Sequence, residues 1–177
     1  IGQGYIQTTP IQLCLMTAQI ANGGHKIYPQ IIVNENNTTQ YTDKYTPLYQ
    51  NSKNIKIIQD AMFGSTNEVM GTSYRSRIDN PKYQFAGKTG TAQVKKITEK
   101  DRELDLKTFQ IPYEERDHAL YIAFGPYKEP RYALSILIEH GGNGSTTAAP
   151  MAKKLFKTVI DRHVLRNSIN NKKYLEI

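Results

Sequence analysis

The 177-residue sequence predicts an α+β fold in which an antiparallel sheet is flanked by helices. Three observations predict it. Apolar residues recur at helical spacing after Thr9-Pro10, after Ser52 and after Pro150. Three strand-like runs, 84–94, 118–125 and 132–139, follow one another without intervening helices. The last two are joined only by the short stretch from Pro126 to Pro130, which suits a hairpin and not a parallel crossover.

The first helix is announced by Thr9-Pro10-Ile11-Gln12. Thr9 suits the N-cap, Pro10 the first helical position, and Gln12 the reciprocal place of a capping box. Ile11, Cys14, Leu15 and Ala18 lie at helical spacing, and Leu13, Met16 and Ile20 add apolar surface on other faces. This pattern predicts a well-buried helix with Cys14 as a packed small hydrophobe. Asn22-Gly23-Gly24 ends it. Residues 34–51 read as a polar surface loop with at most a short strand; the glycosylation-like triplets at Asn36 and Asn37, like that at Asn143, carry no weight there. A second helix from Ser52 places Ile55, Ile58 and Met62 on one side and loses its pattern near Gly64.

The strand at 84–94 contains glycines, which mark places where another group approaches the backbone closely. Residues 95–118 are densely charged and aperiodic, an exposed excursion between two strands. Runs 118–125 and 132–139 are nearly continuously apolar, so the sheet should be covered on both faces. Gly141-Gly142-Asn143-Gly144 makes the turn into the last helix, whose apolar face is Ala152, Leu155, Phe156 and Val159. Residues 1–165 thus form the structured portion and 166–177 a basic polar tail.

Composition excludes several classes. No apolar run approaches the roughly 18 residues of a membrane helix. The single Cys14 excludes an intramolecular disulfide and a multi-cysteine metal site. His25, His118, His140 and His163 have no metal-ligand spacing, so no metal or cofactor is expected. The net charge is +7, and seven basic residues after Met151 face only Asp161 and Glu176, a pattern read as a solvated helix face and tail. No groove-reading motif accompanies it, so no nucleic acid is expected as partner.

The sharpest feature is Lys88-Thr89-Gly90-Thr91. A tetrapeptide chosen in advance matches a chain of this length about once in a thousand times. Serine–lysine acyl-transfer enzymes place Lys-Thr-Gly on a strand lining the cleft. There a lysine supplies fixed positive charge, threonine hydroxyls bind a carboxylate, and glycine leaves room for a peptide to lie against the strand. A backbone N–H just past Gly90 can meet a developing oxyanion.

Four ordered blocks extend this signal. They are Gly2-Gln3-Gly4-Tyr5 with Thr9-Pro10-Ile11-Gln12, then Ala86–Gln93, then Asp117-His118-Ala119 with Ala123–Tyr127, and finally Glu139-His140-Gly141-Gly142. Together they resemble the C-terminal part of the transpeptidase domain of class B penicillin-binding proteins, the penicillin-binding protein 2 group above all. The resemblance implies a serine β-lactamase/transpeptidase-like fold, incomplete in this chain, and peptidoglycan D,D-transpeptidation. It implies that Thr89 and Thr91 bind the carboxylate of a D-Ala-D-Ala stem peptide or of a β-lactam. The Thr91 N–H would form half of the oxyanion hole, and Lys88 would shape the electrostatics of the nucleophile. His118 and His140 fall in family blocks at strand ends, where structural hydrogen bonding is expected of them.

The family's nucleophile lies in Ser-x-x-Lys, and no serine here has lysine three residues on. Its middle motif, Ser-x-Asn, matches only at Ser52, Ser65 and Ser168, all after the Gly-Gln-Gly block and so out of order. The expectation is a fragment with the substrate-binding strand but without the nucleophile, inactive alone and completed by the upstream half of the same domain. Elongation machinery is the further partner, and the periplasmic face of the bacterial inner membrane the location, both by resemblance. The competing readings are a non-catalytic binding module, a gene relic, or a fragment of a D,D-carboxypeptidase or serine β-lactamase.

Overall fold

The computed structural model describes residues 6–31, 45–95 and 106–175, with side chains through Arg166. The Gly2–Tyr5 block, the Asn36 and Asn37 triplets and much of the charged excursion lie outside the described residues. Helix α1 spans Pro10–Ala21 and α2 Ser52–Asn67; strands β1, β2 and β3 span Ala86–Ala92, His118–Gly125 and Tyr132–Ile138; helix α3 spans Ala149–Leu175.

The capping box forms as read. Gln12 N donates to Thr9 Oγ1 and Thr9 N donates to Gln12 Oε1 at 2.8 Å. Gly23 and Gly24 then take left-handed φ values of 90° and 84° beyond the end of α1. Helix α2 runs three residues past Gly64. Burial of Met62, Gly64 and Thr66 against the sheet outweighs the roughly 1 kcal/mol that a helical glycine costs.

The three strands form one antiparallel sheet in the order β1-β2-β3. Two apolar layers cover it. Ala119, Tyr121 and Ala123 of β2 pack against Ala152, Phe156 and Ile160 of α3, and Phe85 stacks on Phe156 with ring centroids 4.9 Å apart. On the opposite face Phe124 and Ala86 pack against Met62 of α2, with Ile20 and Ala21 of α1 alongside. The period-two alternation of β2 divides its apolar residues between these layers. Cover is therefore complete on the α3 face of β2 and partial on the other, where Leu120 and Ile122 are half-buried, while β3 is half-buried, with Leu137 39% exposed.

Helix α1 departs from expectation. Only Thr17 is buried, and Ile11 and Met16 are 62% and 42% exposed. One side rests on β3, where Cys14 Sγ donates to Ala133 O, and the others face solvent among the described residues. Apolar residues all round a helix report what it can bury; the neighbours decide what it does bury. Beyond the sheet, a π-helical turn at Gly144–Ala148, capped by Asn143, leads into α3. That helix passes residue 165 without a break and continues to Leu175.

Candidate active site

Strand β1 is an edge strand, and among the described residues no strand pairs with its outer side. Its inner side is fixed by register against β2: Lys88 faces Ile122, Thr89 faces Tyr121, Gly90 faces Leu120 and Thr91 faces Ala119. Cross-strand partners share a face. Lys88 therefore leaves on the α1/α2 side, and Thr89 and Thr91 on the α3 side. All four border the same open edge, which is the one place where groups from both faces can meet a single ligand.

On the Lys88 side, a groove of about 660 Å³ lies between α2 and β1, with Asp60, Ser65, Glu68 and Thr72 in its wall. Lys88 is exposed, and its ammonium donates to Thr89 O at 2.9 Å. Asp60 is already engaged. Lys56 donates to it at 2.6 Å and the Tyr127 hydroxyl also donates to it, holding its carboxyl below the ordinary aspartate range. That three-group contact ties α2 to the turn after β2.

The geometry of β1 depends on a buried polar cluster that has no local signature. Tyr121, fully buried, extends its ring beneath the edge strand until its hydroxyl lies 3.0 Å from both Thr66 Oγ1 and Ser73 Oγ. A Cβ at Gly87 would stand 2.3 Å from that hydroxyl. The close approach read from the glycines is thus real, and at Gly87 the approaching group is a tyrosine of the chain itself. Gly90 is less crowded, since a Cβ there would stand 3.2 Å from Leu120 Cβ. The sequence signal for the cluster was the glycine before Lys88; nothing local named its partners.

Burial pushes the Tyr121 phenol above the ordinary tyrosine value, and the bonds to Ser73 and Thr66 only partly oppose it. A raised pKa in the folded state means that the stabilisation is intact below about pH 10, the unfolded value, and is lost as pH rises through the folded value. Tyr121→Phe removes both of these buried hydrogen bonds, while Thr66 Oγ1 keeps Met62 O and Ser73 Oγ keeps Ser65 O, and should cost about 1–3 kcal/mol at neutral pH. Denaturant titrations should show that deficit shrinking above about pH 10. A gap that stays constant with pH would sink this account.

His118 and His140 hold the far end of the sheet, as expected of them. The His140 amide donates to His118 Nδ1 at 2.9 Å, His140 Nδ1 lies 3.2 Å from Arg116 O, and the two rings meet edge to face 4.8 Å apart. Asp117 accepts from Val94 N just beyond β1, so this cluster pins the exit of the Lys88–Thr91 strand.

Comparison with known proteins shows which family this chain belongs to. The sequence profile of the penicillin binding protein transpeptidase domain matches residues 1–157. The chain belongs to the penicillin-binding protein transpeptidase family. Among curated family members, the peptidoglycan D,D-transpeptidase MrdA of Salmonella typhimurium is 34% identical over 167 residues, which cover 91% of this chain and 26% of that protein. The MrdA of Acinetobacter baumannii is 34% identical over 164 residues, covering 88% and 23%. Among solved structures, penicillin-binding protein 2 of Helicobacter pylori, in complex with MreC, superposes with a TM-score of 0.71 at 32% identity, over 91% of this chain and 26% of that one. Pseudomonas aeruginosa PBP2 in complex with WCK 5153 gives 0.71 at 32% identity, over 89% and 32%. The chain spans about a quarter of the length of the curated relatives it matches.

Proposed function

We propose that these residues form the substrate-binding wall of a peptidoglycan D,D-transpeptidase whose acyl-accepting serine comes from a segment outside them. The observation that carries the reading is the Lys88-Thr89-Gly90-Thr91 strand at an open sheet edge, bordered by a groove. A D-Ala-D-Ala stem peptide adds to β1 as an extra strand, with its terminal carboxylate between the hydroxyls of Thr89 and Thr91. Lys88 sets a positive potential beside that carboxylate and the serine's proton network.

The serine hydroxyl attacks the penultimate D-Ala carbonyl, losing its proton to the family's lysine. The resulting oxyanion is received by the Thr91 N–H and a second N–H outside these residues. Collapse expels the terminal D-Ala, and the amine of a neighbouring stem peptide then attacks the acyl-serine to form the cross-link and release the serine. Antiparallel alternation supports the assignment. Lys88 donates to Thr89 O, and residues two apart on a strand direct their backbone groups the same way, so a Thr89 carbonyl on the open side would put the Thr91 N–H there as well.

Such an enzyme works where its substrate lies, at the periplasmic face of the inner membrane. Among the described residues no helix is long and apolar enough to cross a membrane. The complex of the Helicobacter pylori relative with MreC makes elongation machinery the expected protein partner.

A fluorescent penicillin tests the reading. The 177-residue chain alone should not be covalently labelled, whereas the full-length protein should be, at one serine. Stoichiometric labelling of the short chain would overturn the assignment of the nucleophile to another segment. Absence of labelling in the full-length protein would overturn the transpeptidase reading itself.

A further inference from the structure

A second cleft, of about 740 Å³, lies on the α3 side of the molecule, between the 69–76 loop and the first turns of α3. Its volume falls within the roughly 300–1,000 Å³ of small-molecule sites. Its lining includes Arg75, Lys153, Lys154 and Lys157 and no acidic residue. Among the described residues, Arg75, Lys153 and Lys154 have no carboxylate within ion-pair distance. The nearest acid on α3, Asp161, is already committed. The Tyr83 hydroxyl donates to it at 2.5 Å and Lys82 lies 3.5 Å away. Lys157 lies within the field of Asp161, while the charges of Arg75, Lys153 and Lys154 are uncompensated among the described residues.

An independent feature points the same way. Ser76 lines this cleft and is only 2% exposed, yet among the described residues its hydroxyl has no hydrogen-bond partner. Ser135 Oγ, not Ser76 Oγ, is the fully buried side-chain atom left without a partner among the described residues, so the Ser76 hydroxyl opens onto the cleft as a donor the fold does not use. Ser145, at the turn that starts α3, adds a further hydroxyl at the rim, where the dipole of α3 also favours negative charge.

We infer that this cleft binds a phosphate ester, with Ser76 donating from its wall and Arg75, Lys153 and Lys157 neutralising the charge at its rim. Phosphate fits the donor set better than a lone carboxylate does. It offers three acceptor oxygens and close to two negative charges to a mixed set of hydroxyl, guanidinium and ammonium donors. The spare volume accommodates the organic group the phosphate is attached to. No residue of β1 lines the cleft, so the inference stands apart from the acyl-transfer reading and fails separately from it.

The test is binding to the full chain. Inorganic phosphate and sn-glycerol 3-phosphate are titrated by calorimetry, and sedimentation measures binding to phosphatidylcholine vesicles with and without equimolar phosphatidylglycerol. Saturable binding of both soluble phosphates, weakened about tenfold or more by Lys153→Ala/Lys157→Ala, is the expected result. Both lysines are exposed, so the variant should keep the wild-type thermal midpoint. Ser76→Ala should weaken binding several-fold without lowering that midpoint, because it removes a donor that the fold does not use. Binding to the phosphatidylglycerol vesicles in addition identifies a lipid headgroup as the source, and its absence a soluble phosphate ester. The inference is overturned by no saturable phosphate binding, by binding indifferent to the lysine pair, or by binding of polyglutamate in place of phosphate.

Discussion

In the full-length protein, Lys88→Ala should lower the rate of acylation by a β-lactam by about 10²–10³-fold, the scale on which single preorganised electrostatic groups act. The thermal midpoint should hardly move. Lys88 is exposed, and its one hydrogen bond is to the carbonyl of the next residue. Stopped-flow acylation alongside a thermal melt separates the two effects. Lys88→Arg sharpens the result. It keeps the charge but replaces a compact ammonium with a planar guanidinium, so it should recover only part of the lost rate. Full activity in Lys88→Ala would remove Lys88 from the site, and a collapse in stability would make it a structural residue.

The largest effect on stability is expected at Phe156. Its ring is 1% exposed, stacks on Phe85 and closes on Gly125, where a Cβ would stand 3.2 Å from two of its ring carbons. Phe156→Ala removes a whole buried ring from the layer between α3 and the sheet and should cost about 3–5 kcal/mol. Typical domains have only about 5–15 kcal/mol in all, so the loss is a large fraction of the total. Phe156→Leu keeps most of the volume and should cost far less, about 1.5 kcal/mol. Chemical denaturation midpoints check both. A loss under about 1 kcal/mol for the alanine variant would show that α3 does not hold the sheet as described.

The parts legible in the sequence were those whose physics is local. The capping box of Thr9 and Gln12, the glycine stop after Asn22 and the hairpin from His118 to Ile138 each rest on residues close together in the chain. The Lys88-Thr89-Gly90-Thr91 strand belongs with them, because its residues are consecutive and the strand supplies their spacing. Cover on both faces was readable in part, since β2 is fully buried on the α3 face but only half-buried at Leu120 and Ile122 on the other.

What the sequence by itself determined was the order of elements, the family and the place of the Lys88-Thr89-Gly90-Thr91 strand. Tertiary structure alone decided that Lys88 and the two threonines depart on opposite faces of an open edge, since that follows from pairing with Tyr121 and Ile122. It also decided that Gly87 must be bare for Tyr121 to reach Thr66 and Ser73, residues 55 and 48 positions away. The partial exposure of α1 and the uncompensated charge beside Ser76 are of the same kind. Each depends on which distant segments meet, and periodicity reports a side chain's preference for burial without naming the neighbour that satisfies it.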